Sequence, residues 1–156
     1  MNAVIRPIES RYTLSSIIAH SPAMHSVVDQ ARQFSLKSES LFIHGEKGTG
    51  KRYMARAIHS ESPRDNHPLA VVRCETLSVD ILERVLFGDI VTRRTGKLDE
   101  AGEGSVLFAR LHELNPVAQE RLFRTLDDGR YENCFHETRL VSCRLLATGD
   151  KAEIEK

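Results

Sequence analysis

The chain has no tryptophan and only three cysteines, Cys74, Cys134 and Cys143, an odd number without close pairing. That pattern offers neither a disulfide framework nor paired zinc ligands; three reduced thiols fit a cytoplasmic protein. Charge excess is missing too: 22 basic and 22 acidic side chains cancel to a net charge of zero. No whole-molecule attraction draws such a chain to nucleic acid or to an anionic membrane, so no direct DNA binding is expected. No apolar run approaches the ~20 residues that a membrane helix needs. Residues 1–10 lack the hydrophobic segment of a secretory signal. Seven histidines are present, but none are spaced as metal ligands, and structural or surface roles are expected for them.

What is present is a globular composition: 156 residues, 40% hydrophobic and 28% charged, enough for one domain with its own core. A leader over residues 1–15, one domain over 16–150 and a tail over 151–156 are expected. Ser21-Pro22 predicts a helix start, with Ala23, Met24, Val27, Val28, Ala31 and Phe34 recurring at helical spacing. Residues 40–44 read as a buried strand, followed by a helix over 52–60 with Met54, Ala55 and Ile58 inward. A second strand is predicted at 69–72, then a helix capped by Ser78. Residues 89–97 are polar without periodicity. A third strand is predicted at 106–109. A helix then opens at Asn115-Pro116, with Val117, Ala118, Leu122, Phe123 and Leu126 inward. Residues 140–148 supply the last strand. Alternating strands and helices imply an α/β fold, with a mainly parallel sheet between helices and strands 40–44 and 106–109 side by side.

Between the first strand and its helix lies Gly45-Glu46-Lys47-Gly48-Thr49-Gly50-Lys51. Strand, glycine loop and helix are the context of a phosphate-binding loop. Glycines let backbone N–H groups curl around an anion, and the helix N-terminus adds partial positive charge. Lys51 would reach the outer phosphates. Arg52 stands where most such loops place a magnesium-binding Ser or Thr. Other candidates have plainer readings: Arg93-Arg94 with Lys97 as an anion patch or a solvated loop, and Cys74 as a reactive thiol or a small buried residue.

These segments resemble the AAA+ ATPase domain of sigma-54-dependent transcriptional activators over residues 17–148. The resemblance rests on Ile17-Ile18-Ala19-His20-Ser21-Pro22-Ala23-Met24, the loop at 45–51 as a Walker A, Ala55 to His59 with Ser62-Pro63-Arg64, Arg73-Cys74, and Leu86-Phe87-Gly88. It implies a P-loop NTPase three-layer sandwich. It also implies that Ile17 and Ile18 line an adenine pocket, and that ATP or ADP binds at Gly45, Glu46, Lys47, Gly48, Thr49, Gly50, Lys51 and Arg52. The departures matter equally. Ala109 and Arg110 stand where the family places a magnesium-binding Asp and a water-activating Glu. The GAFTGA loop that engages sigma-54 is missing. Ala147-Thr148-Gly149 lacks the sensor amide. Arg144 is the surviving arginine expected to reach a neighbouring subunit, and Asn133 takes the approximate place of another. The family's helical lid domain and DNA-binding helix-turn-helix are expected to be absent.

Phosphoryl transfer needs a metal to bridge phosphates and a group to orient water. Alanine holds no metal, and arginine accepts no proton at neutral pH. Nucleotide binding with little or no hydrolysis is therefore expected, with no catalytic or metal-ligating residue, and no acid beside the loop to hold magnesium. Arg52 and Arg110 either substitute for that cation or are solvated or paired with acids such as Glu46, Asp99 or Glu113. The partners implied are a nucleotide and intact AAA+ relatives or other transcription-regulatory proteins. The competing functions are an effector or cyclic-dinucleotide receptor and an interaction scaffold without nucleotide.

Overall fold

The computed structural model describes residues 12–17, 21–75 and 77–150. In chain order it contains helix α1 (Pro22–Ser35), strand β1 (Leu41–Gly45), α2 (Lys51–Ser60), β2 (Leu69–Arg73) and α3 (Val79–Phe87). A hairpin of β3 (Gly88–Asp89) and β4 (Arg94–Thr95) follows, then α4 (Lys97–Ala101), β5 (Ser105–Ala109) and α5 (Pro116–Asp128). A second hairpin, β6 (Arg130–Glu132) and β7 (Thr138–Leu140), leads into β8 (Arg144–Asp150). Capping explains the helix starts. Ser21, Ser78 and Asn115 accept hydrogen bonds from Met24, Ile81 and Val117 backbone N–H groups. Pro22 and Pro116 occupy first-turn positions, where no N–H is needed.

The central sheet has the order β1-β8-β5-β2, and its pairings are parallel. The expected contact between strands 40–44 and 106–109 is therefore wrong, because β8 lies between them. After β1 the chain crosses to the far edge to lay β2, then returns one position at a time through β5 to β8, which fills the gap. Burial patterning reveals a strand but not its neighbour, which is why the sequence placed these two side by side.

Period-two alternation sorts the sheet into two cores. Ala70, Val72, Val106 and Phe108 face α3, α4 and α5, meeting Leu82, Leu86, Leu98, Ala101, Ala118 and Leu122. Leu69, Leu107 and Leu146 face α1 and α2, meeting Val28, Ala31, Met54, Ala55 and Ile58. The result is a three-layer sandwich with the sheet buried on both faces. Several details depart from expectation. Val117 and Phe123 are 62% and 48% exposed, because α5 turns Ala118, Leu122 and Thr125 inward instead. Val27 of α1 is likewise exposed. Residues 89–97 hold a hairpin and the start of α4, elements too short to show periodicity. Residues 140–148 are not one strand: β7 ends at Leu140 and β8 begins at Arg144.

The reading of Arg144 as an arginine that reaches a neighbouring subunit is also overturned, and Asn133 is likewise internal. Arg144 is 2% exposed. Its Nε donates to the Glu39 carbonyl at 2.9 Å and its Nη2 to the Phe34 carbonyl at 2.6 Å. It thus serves the carbonyl end of α1, where backbone acceptors lack helical partners and the helix dipole favours a cation. Asn133 is 4% exposed and folds the β6–β7 connection: its amide donates to Asp99, and its oxygen accepts from the Phe135 and Glu137 N–H groups. The Phe34 carbonyl keeps a second partner in the Lys37 N–H, so what the guanidinium adds is two charge-assisted hydrogen bonds, each worth about 1.5–3 kcal/mol. Arg144→Met should therefore lower unfolding stability by about 2 kcal/mol or more, read from urea denaturation. An unchanged midpoint would show the guanidinium to be dispensable.

Candidate functional site

The candidate site lies at the carboxyl end of the sheet, where β1 stops and α2 begins. Between them Gly48 and Gly50 adopt left-handed φ values of 81° and 85°, which side chains with a Cβ rarely take. Gly50 is the N-cap of α2 and supplies no side-chain cap, so the first-turn amides are left for another acceptor. Thr49 Oγ1 donates to the Glu46 carbonyl at 2.8 Å and ties the loop across itself. Lys51 folds back into the loop: Nζ donates to the Gly45 carbonyl at 3.0 Å and the Glu46 carbonyl at 2.7 Å. The structure therefore draws Gly45 to Lys51 into one cradle. Glu46 and Lys47 are exposed, and Glu46 joins the cradle through its main chain. Arg52 is exposed, and its side chain makes no hydrogen bond or ion pair with a described residue. Ile17 packs at the margin of the α1–α2 core, and Ile18 lies outside the described residues.

A side chain that sequence reasoning missed completes the cradle. Asp150 Oδ1 pairs with Lys51 Nζ at 3.0 Å, and both side chains are largely shielded, 18% and 11% exposed. The expectation that no acid lies beside the loop is corrected. The last strand was read as ending at 148, whereas β8 continues to Asp150, and the parallel register sets Asp150 opposite Gly45. Once β8 is known to lie beside β1, its last residue must fall at the loop. The hydrogen bond from Lys51, reinforced by the charges of Lys51 and Arg110, holds the Asp150 carboxyl below the usual carboxylate range, against the opposing effect of burial.

At the end of β5, Ala109 is buried and Arg110 turns into the left-handed region at φ 59°. The Arg110 N–H donates to Thr148 Oγ1 at 3.1 Å, fixing the β5 exit to β8. Its guanidinium pairs with Glu113 and lies 3.9 Å from both Glu75 and Asp150. Of the two readings of Arg110, pairing with acids is the one observed. His112 is drawn into the same group: its Nδ1 accepts from the Asp150 N–H at 3.2 Å, which places the proton on Nε2, 3.6 Å from Asp150 Oδ2. Elsewhere, His59 is buried against Ser105 and the His67 carbonyl. No group of three His, Cys, Asp or Glu side chains among the described residues is arranged to hold a metal ion. Cys74 is fully buried, and burial first, then the charges of Glu75 and Glu113, push its thiol up to about 12. It is a small core residue.

Comparison with known proteins agrees with this architecture. The sigma-54 interaction domain matches residues 17–155. The chain belongs to that family. Similar relatives include a Nif-specific regulatory protein of Azotobacter vinelandii, 31% identical over 97% of this chain and 31% of its own length. The transcriptional regulatory protein TyrR of Salmonella typhimurium is 35% identical over 90% of this chain and 28% of its own. The chain thus spans about a third of the length of these curated relatives. NtrX of Brucella abortus, solved in complex with ATP, superimposes with a TM-score of 0.79 at 26% identity, covering 87% of this chain and 32% of that one. NtrX has also been solved with ADP. Hsp104, at 19% identity and a TM-score of 0.59, shares the fold alone. The sigma-54 interaction domain is therefore built here as an AAA+ P-loop α/β sandwich.

The Asp150 carboxyl titrates below its unfolded value, so its ionised form stabilises the fold. That contribution is complete above the unfolded pKa and is lost as pH falls through the lower, folded pKa. Asp150→Asn should therefore be less stable than the parent at pH 6, and the gap should close as pH drops toward 2. A gap independent of pH, in urea midpoints across that range, would show that the ion pair does not stabilise the fold.

Proposed function

We propose that this chain is the nucleotide-binding domain of a transcription regulator, one that holds ATP or ADP and hydrolyses it little or not at all. The observation that supports this reading is the contrast between two strand ends. After β1 the cradle keeps its left-handed glycines, its free helix amides and Lys51. After β5 the chain offers Ala109 and an arginine paired with Glu113. The first set of groups can bind phosphate oxygens; the second can neither bind magnesium nor take a proton from water. Losing a general base alone costs on the order of a hundred- to ten-thousand-fold in rate. The relative NtrX was crystallised with ATP and with ADP, which favours these ligands. Partners are then intact AAA+ relatives or other transcription-regulatory proteins, met through protein contacts in the cytoplasm.

A second reading has one observation in its favour. Arg84, Arg93, Arg94 and Lys97 line a groove of about 550 Å³ between α3 and the β3–β4 hairpin. Asp89 and Glu100 share the lining, and Lys97 pairs with Glu100 at 3.2 Å, so the three arginines are what would draw an anionic effector such as a cyclic dinucleotide. A melting screen with ATP, ADP, GTP and cyclic dinucleotides separates the two. Ligand at ten times its dissociation constant should stabilise the fold by about 1.4 kcal/mol. The shift with ATP or ADP should vanish in Lys51→Ala and persist in Arg93→Ala. The reverse pattern would move the site to the groove, and ATP turnover that Lys51→Ala abolishes, at rates typical of active relatives, would reject a loss of hydrolysis.

A further inference from the structure

We propose that Asp150 is a built-in competitor for the phosphate cradle: its carboxylate sits on Lys51 where a phosphate oxygen would go, and nucleotide binds by displacing it. This rests on reading Gly45 to Lys51 as a nucleotide loop. An ammonium group has three donors, and three partners occupy them: the carbonyls of Gly45 and Glu46, and Asp150 Oδ1 at 3.0 Å. The two carbonyls belong to the loop and do not obstruct an anion. Asp150 is the negatively charged one, and it occupies the direction that remains.

The carboxylate is held in place rather than swinging freely. The β1–β8 register sets it opposite Gly45, and its own N–H is tied to His112 Nδ1. Around it stand Lys51 from α2, Arg110 at the β5 exit and His112 from the Leu111–Glu113 turn, while Glu113 and Glu75 face Arg110. A bound triphosphate would take Lys51 away and leave Asp150 beside new negative charge. Arg110 gives it little relief at 3.9 Å, because its guanidinium is paired with Glu113. Like charges forced together in a partly shielded site weaken binding. The carboxylate therefore sets the affinity threshold of the cradle for any ligand with a terminal phosphate.

Calorimetric titration of ATP, ADP and inorganic pyrophosphate against the parent, Asp150→Asn, Asp150→Ala and Lys51→Ala tests this. Both Asp150 variants should bind each ligand at least tenfold more tightly than the parent, with magnesium or with a chelator. Equal affinity would overturn the competition and leave the loop reading standing. Weaker binding in the variants with magnesium present would also overturn it, by showing that the carboxylate serves a bound cation. No binding by any form, or full binding by Lys51→Ala, would overturn the loop reading and the competition together. The unmodified protein gives a readout independent of variant folding: the Asp150 carboxyl carbon resonance should shift on saturation with pyrophosphate, and an unmoved resonance would overturn the proposal.

Discussion

The structure depends on β5 being sealed on both faces. Its five residues are all buried, alternating between the α1–α2 core and the α3–α5 core. A parallel strand enclosed in this way has its neighbours fixed by hydrogen bonds and its height fixed by packing. The carboxyl ends of β1, β8 and β5 are therefore brought to one edge of the sandwich. The cradle after β1, Asp150 on β8 and Arg110 after β5 are neighbours for that reason. None of these loops needs much structure of its own; the sheet delivers them.

That geometry gives this chain's departures from the expected acids a particular form. In this fold the acids expected at the β5 exit would face the cradle across β8. Here Ala109 and Arg110 stand at that exit, and a carboxylate appears on the intervening strand instead. The electrostatic neighbourhood is therefore rearranged rather than stripped: Asp150, Glu75 and Glu113 lie among Lys51, Arg110 and His112. The resulting network binds itself. Lys51 is paired with Asp150 and Arg110 with Glu113, although the Arg110 Nε is buried without a hydrogen-bond partner.

Much of this was legible in the sequence, for identifiable reasons. The loop at 45–51 announced itself because its glycines and lysine sit between a strand pattern and a helix pattern. The strands at 69–73 and 105–109 showed because strands buried on both faces read as short apolar runs. Helix starts showed through Ser21, Ser78 and Asn115. Sequence could not show what depends on neighbours. Strand order failed because parallel partners are distant in the chain. Asp150 failed because its partner, Lys51, lies 99 positions earlier and the strand was ended two residues too soon. Arg144 was misplaced because a conspicuous cation near a family's functional arginines looks like one of them, while its burial against Phe34 and Glu39 emerges only after folding. The two hairpins failed because strands of two or three residues carry no measurable period.

Strand β8 has one further consequence. Arg144, Leu146, Thr148 and Asp150 alternate with their neighbours and so point to the same side of the sheet. One residue ties α1 to the sheet, one fills the core beneath α1 and α2, one receives the Arg110 N–H, and the last meets Lys51. Inserting or deleting a single residue within this strand would turn the residues on one side of the change to the opposite face, so that the four could no longer share one side. Evolution can therefore substitute the carboxylate alone but cannot change the length of the strand without dismantling the fold, so tinkering here is confined to changes of side chain.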